Sequence, residues 1–219
     1  KAAQIKAALF SLRDSAAIPF GEALKYAQEA QKSTGIRPAF LLAILTQESA
    51  LGKNVGSCYL TDAKTGAGVS IKSGTTFPNV MKPSRDVGPF LEITGALGKD
   101  PTKTLVSCPI PSAGGYGGAM GPAQFIPSTW MLFKDRIATA LNIANPNPWN
   151  PEHAFMASSM FLTDLGAKAG SYTAERNAAC KYYSGRSCSG NVNTSYGNQV
   201  MLKADNIQRT MIDPLQGLD

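Results

Sequence analysis

Arg37-Pro-Ala-Phe-Leu-Leu-Ala-Ile-Leu-Thr-Gln-Glu-Ser-Ala-Leu-Gly52 is the stretch from which the rest of this 219-residue chain can be read. Pro38 suits the first position of a helix, where its missing N–H would have no partner anyway, and Gly52 suits the end. Leu41, Ile44, Leu45 and Glu48 follow the i, i+3, i+4, i+7 spacing and so share one helical face. The first three are aliphatic and the last is a carboxylate. Withdrawal from water raises a carboxylate's pKa toward the range where it donates a proton near neutral pH, which is how a general acid is made. The structural alternative is a Glu at the rim of the stripe that caps or pairs with a neighbouring segment.

Outward from this helix the chain is mostly helical in pattern. Residues 1–14 carry Ile5, Ala8, Leu9 and Leu12 on one side of a short amphipathic helix. Pro19 opens a second, running to about Ser33 through Ala23, Leu24, Ala27 and Ala30, and Gly35 breaks it. Residues 53–113 differ: Gly, Pro, Ser, Thr and Lys dominate, with short runs at Ala67–Ile71 and Val87–Leu91 and a turn at Lys72–Thr76. A loop-rich insertion with a short β-hairpin is expected there, and a loop of that length inside a domain points to a working wall or lid. Gly114–Gln124 is a glycine-rich loop. Pro127 starts a helix to about Leu141, and Asn150 caps one that begins with Pro151 and runs to about Lys168. Two more helices span about Thr173–Tyr183 and Thr194–Met211. With no internal repeat and no linker, the expectation is one mainly α domain over 1–219.

A net charge of +6 and a pI near 9.2 favour an anionic polymer as partner. Without a Lys/Arg run or a nucleic-acid fold signature, nucleic acid is the weaker candidate. No segment approaches the roughly 20 apolar residues of a membrane-spanning helix. The chain starts at Lys1 without an apolar leader, as a processed product would. Cys58, Cys108, Cys180 and Cys188 match no zinc spacing, and His153 is the sole histidine. Disulfides Cys58–Cys108 and Cys180–Cys188 are the simplest pairing, each closing a loop within one region, and they imply an oxidising compartment. No metal or organic cofactor is expected.

Four blocks then carry a resemblance. Gln47-Glu-Ser49 looks like the Glu-Ser signature of lysozyme-like lytic transglycosylases. Tyr116-Gly-Gly-Ala-Met-Gly-Pro-Ala-Gln-Phe-Ile-Pro-Ser-Thr-Trp130 is similar to their second motif, closest to the membrane-bound-B-type branch. Asn150-Pro-Glu-His-Ala154 resembles the third block, and Ala179-Cys-Lys-Tyr-Tyr-Ser-Gly185 the fourth. The blocks occur in the family's order over about half the chain.

The resemblance implies a lysozyme-like (SLT-type) helical domain that cleaves the β-1,4 bond between N-acetylmuramic acid and N-acetylglucosamine, leaving a 1,6-anhydromuramoyl end. It implies Glu48 as the catalytic residue, acid and then base, with Ser49, Tyr116, Ala119, Met120, Gln124, Tyr182 and Tyr183 as substrate-binding residues. Met120 would line the subsite beside Glu48, Gln124 would contact sugar or support its loop, and the groove would run between the Glu48 helix and the Gly114–Gln124 loop. Of the tyrosine pair, Tyr182 is the one expected to reach Glu48, while Tyr183 stands where the family usually has Asn. The expected partner is the peptidoglycan glycan strand, the expected state a monomer, and the expected location the periplasm or extracellular side.

The chemistry fits one carboxylate. Glycoside hydrolysis ordinarily uses two, but attack by the substrate's own C6 hydroxyl makes the second dispensable. A hydrolytic muramidase of the goose-lysozyme kind would need Asp62, Asp86 or Glu92 as that second acid. An inactive peptidoglycan-binding or scaffold protein is the remaining alternative. His153 lacks the partners of a nucleophilic relay and reads as structural. Trp130 and Trp149, at helix starts, read as core ahead of sugar-stacking.

Overall fold

The computed structural model describes residues 1–10, 18–51, 56–111 and 115–217, the side chains of 9–10 and 49–51 excepted. Helix α1 (Ala2–Ala7) is followed by β1 (Leu9–Phe10), which pairs antiparallel with β2 (Ile18–Pro19). The first helix therefore stops well short of Asp14; Ser11–Asp14 lie outside the described residues. Its six residues bury no side chain, and so short a helix cannot repay its own nucleation, whereas Leu9 and Phe10 gain ladder partners.

Helix α2 (Phe20–Thr34) starts directly after Pro19 and ends at Gly35, which takes the left-handed conformation at φ 76°. Its buried face is Phe20, Ala23, Leu24, Ala27 and Ala30, the stripe the spacing predicts. Helix α3 (Pro38–Leu51) begins at Pro38 as expected; Gly52, read as its stop, lies outside the described residues. Here the stripe widens. Ala39, Phe40, Leu42 and Ala43 are as fully buried as Leu41, Ile44 and Leu45, so the helix is a core element wrapped on all sides.

Residues 56–111 are more ordered than a loop-rich reading implies. Strands β3 (Cys58–Asp62), β4 (Ala67–Ser70) and β5 (Thr76–Phe77) form an antiparallel sheet in that order, so the expected hairpin is present and extended by a third strand. A π-helical turn at Pro83–Val87 leads into α4 (Gly88–Ala96), where only a short run at Val87–Leu91 was expected. Pro89 sits in the first turn, which needs no N–H, and burial of Phe90, Ile93 and Thr94 holds the rest. Helices α5 (Pro127–Leu141), α6 (Pro151–Asp164), α7 (Tyr172–Ser184) and α8 (Asn191–Ile207) follow. The last expected helix is resolved into α8, a π-helical turn at Gln208–Ile212 and α9 (Asp213–Gln216).

Contacts divide the chain into two compact units. The first comprises residues 1–12, 16–50 and 155–219; the second comprises 13–15 and 51–154. In the first, the buried apolar residues include, besides those of α3, Phe155 and Leu162 of α6, Ala178 and Ala179 of α7, and Val200 and Ala204 of α8. In the second, the Cys58–Cys108 disulfide and a bridge between Cys58 and Val106 tie the sheet to the segment that follows α4. Both expected disulfides are formed, and no free cysteine is found among the described residues.

Candidate active site

In the first unit, Glu48 is half-buried near the C-terminal end of α3 and accepts a 2.7 Å hydrogen bond from the Tyr196 hydroxyl of α8. The Tyr196 ring stacks on Tyr183 of α7, with centroids 4.5 Å apart and planes 15° from parallel. Tyr182, the neighbour of Tyr183, packs its ring against Phe161, and its hydroxyl accepts from Ser158 at 3.2 Å. Burial, and then the negative charge of Glu48, push the Tyr182 phenol well above its ordinary pKa. The same two causes, followed by the hydrogen bond to Glu48, push Tyr196 up as well. The carboxylate thus lies among neutral phenols that stay protonated.

Several contacts hold these side chains in place. Arg37, immediately before α3, forms a two-pronged ion pair with Glu175 in the first turn of α7, at 2.7 Å and 2.9 Å. Glu175 is only 2% exposed, so the pair pins α3 to the helix that carries Tyr182 and Tyr183. Helix α8 is held against α7 at Gly197, where an added Cβ would lie 2.5 Å from Cys180 Sγ. Only glycine allows that approach to the Cys180–Cys188 disulfide, and the adjacent residue is Tyr196. One turn away, Gln47 Nε2 donates to Gln199 Oε1 at 3.0 Å.

Sequence reasoning missed Tyr196. Its signal was present but weak: a tyrosine on the apolar face Tyr196, Val200, Ala204, Ile207 of the last helix, the same device of one polar group on a greasy stripe that singles out Glu48. The side chain of Ser49 lies outside the described residues.

Tyr116, Ala119, Met120 and Gln124 belong to the second unit. Gly114, the first residue of the glycine-rich loop, lies outside the described residues, as do 112 and 113. Met120 is 1% exposed and its amide bonds the Phe125 carbonyl, closing a tight turn. Ala119 exchanges bonds with Ser107, Gln124 Nε2 donates to the Gly121 carbonyl, and Tyr116 is exposed. Gly121, at φ 58°, has a structural reason of its own: a Cβ there would lie 2.0 Å from the Pro148 carbonyl.

The three candidates for a second carboxylate, Asp62, Asp86 and Glu92, each have partners within the second unit. Asp62 closes a turn, bonding the Lys64 amide and the Thr65 hydroxyl, and these bonds hold its carboxyl below the ordinary range. Asp86, fully buried, pairs with Arg85 at 2.7 Å and accepts from the Ser128 amide at the start of α5. Glu92 pairs with Lys134 at 3.5 Å on the surface. His153 accepts from the Asn147 amide at Nδ1, and burial lowers its pKa, in keeping with a structural role. Trp130 is core at 1% exposure, whereas Trp149 is half-buried against Phe90, with its indole N–H on the Leu105 carbonyl and Lys99 over the ring. Among the described residues no cluster of His, Cys, Asp or Glu could hold a metal ion.

At 58% helix and 8% strand, with its small antiparallel sheet, the chain has a lysozyme-like framework. The family model of the transglycosylase SLT domain matches residues 20–178, most of the chain. The chain therefore belongs to the transglycosylase SLT family, whose members degrade peptidoglycan by a lytic transglycosylase-type reaction. No curated protein and no solved structure gives a significant match. The matched span contains Glu48 and ends before Tyr182, Tyr183 and Tyr196.

Proposed function

We propose that Glu48 alone carries the proton transfers of a peptidoglycan lytic transglycosylase. Glu48 protonates the glycosidic oxygen between N-acetylmuramic acid and N-acetylglucosamine, and the C1–O bond breaks to an oxocarbenium-like species. The muramoyl C6 hydroxyl then attacks C1 while the Glu48 carboxylate takes its proton, closing the 1,6-anhydro ring without consuming water. Tyr196 holds the carboxylate through both steps, and the hydrogen bond it donates strengthens as charge appears on Glu48. Ser49, Tyr116, Ala119, Met120, Gln124, Tyr182 and Tyr183 are proposed to bind the glycan. The Tyr116–Trp130 motif puts the chain nearest the membrane-bound-B-type branch, and the disulfides and cell-wall substrate favour the periplasm or the extracellular side.

The observation that carries this reading is the half-buried Glu48 held by a phenol whose own proton is hard to remove. The structural duties of Asp62, Asp86 and Glu92 favour it over a hydrolytic muramidase. Mass spectrometry of products from purified sacculi tests it. Anhydromuramoyl ends from the wild-type protein and none from Glu48→Gln are expected. Reducing muramic ends would mean hydrolysis, and undiminished turnover by the variant would remove Glu48 from the mechanism.

A further inference from the structure

Two neighbouring side chains of α3 reach α8. Glu48 accepts from the Tyr196 hydroxyl at 2.7 Å, and Gln47 Nε2 donates to Gln199 Oε1 at 3.0 Å. Tyr196 and Gln199 are three residues apart, so they share one side of α8 about 4.5 Å apart along its axis. Gln199 is held in turn from its own helix. Its Nε2 donates to Ser195 Oγ at 3.2 Å, which leaves the amide oxygen to accept from Gln47. All of these residues belong to the first unit.

Gln47 does not stabilise the core where it stands. It is 4% exposed, and its Oε1 is buried without a partner among the described residues. A buried acceptor left unpaired is destabilising, and an apolar side chain of the same length would fill the space without that penalty. What only the amide supplies is a directional bond. Apolar contacts are non-directional, so by themselves they let α8 roll or slide on α3. A single hydrogen bond at Tyr196 leaves a pivot, and the bond one turn further along, at Gln199, removes it. Two other ties of α8 run to α7: the close approach of Gly197 to Cys180 Sγ, and a 2.7 Å bond from Arg176 Nε to Asn198 Oδ1 at the surface.

We propose that Gln47 is a positioning residue for the reaction: through Gln199 it sets α8 on α3 so that the Tyr196 hydroxyl meets the Glu48 carboxylate. The proposal rests on the Glu48 reading above. Gln47 itself is too buried to touch substrate, so its loss is felt in kcat and not in KM.

Gln47→Met keeps the length of the side chain and removes the amide. It is expected to melt no earlier than wild type, to lower kcat on glycan strands about tenfold, and to leave KM unchanged. Gln199→Met, at an exposed position, should reproduce the fall, and it carries the same comparisons if Gln47→Met does not fold. In a Tyr196→Phe background Gln47→Met should add nothing, because the bond it serves is already gone. Asn198→Ala, which loosens α8 from α7 alone, should keep the wild-type kcat. An unchanged kcat, a change confined to KM, an effect that adds in full to Tyr196→Phe, or an equal fall in Asn198→Ala would each overturn the proposal. A second arm is independent of turnover: NMR of protein labelled on its tyrosine rings. Tyr183 and Tyr196 stack with centroids 4.5 Å apart, so each ring displaces the signals of the other. Gln47→Met should move those two sets of signals and leave the exposed Tyr116 and Tyr172 in place. Signals of Tyr183 and Tyr196 identical to wild type would defeat it. Should wild-type protein cleave no glycan, the transglycosylase reading fails, and the ring signals still decide whether Gln47 positions Tyr196.

Discussion

Asp86 of the second unit and Glu48 of the first are held in opposite ways. In the second unit Asp86 is fully buried, but a guanidinium and a backbone amide claim it, and Asp62 and Glu92 are committed to a turn and a surface pair. In the first unit Glu48 is only half-buried and shares its surroundings with phenols. Burial alone therefore does not mark a reactive acid. A cation plus a capped helix amide makes a carboxylate a fixed structural anion, whereas neutral O–H donors leave it free to exchange a proton.

Substitution of these two acids would break this contrast or sharpen it. The largest effect is expected from Glu48→Gln, with turnover of sacculi falling by a factor of about 10² to 10⁴, the range for a lost general acid. Its melting temperature should stay close to wild type. A variant that melts early would mean that Glu48 is as structural as Asp86.

The disulfides extend the comparison to stability. Cys58–Cys108 closes a separation of 50 residues in the second unit, and Cys180–Cys188 closes one of 8 in the first. Chain entropy assigns about 4 kcal/mol to the longer loop and about 2.5 kcal/mol to the shorter. Paired Cys→Ser variants in urea should show that order. The shorter staple, packed on Gly197 beside Tyr196, should nevertheless cost the more activity in still-folded protein. Asp86→Ala comes next, at about 2 kcal/mol for a lost helix cap and a partly solvated ion pair. Its folded fraction should keep wild-type turnover; lost turnover in folded protein would return Asp86 to the list of candidate second acids.

How much of this could be read beforehand follows from what periodicity records. Pro19, Pro38, Pro127 and Pro151 mark helix starts because a missing N–H costs nothing in a first turn, and those boundaries hold to within one residue. The burial of Leu42 and Ala43 on the far side of α3 comes from tertiary packing, which local pattern does not encode. Helix α4 was hidden because Gly88-Pro89 reads as a turn unless Phe90 and Ile93 have something to pack against. Glu48 was legible as a charge on an apolar stripe. Tyr196 was not, since a phenol on a helix face is unremarkable until the carboxylate opposite is known.

The smallest effect expected is also the one most particular to the first unit. Tyr182 and Tyr196 have folded-state pKa values above the ordinary phenol value of 10.0, through burial and the charge of Glu48. A group whose folded pKa is raised contributes stability that is fully present below its unfolded pKa and is lost as pH rises toward the folded value. Stability should therefore hold to about pH 10 and decline above it, with two of the seven tyrosines ionising only as the fold opens. Phenolate absorbance recorded beside circular dichroism reads both events. Tyr196→Phe should remove one late phenol, flatten the alkaline decline, and reduce turnover about tenfold by freeing the carboxylate from its donor. If both phenols ionise while the helical signal is intact, they are open to solvent, and the phenols around Glu48 are no different from surface tyrosines.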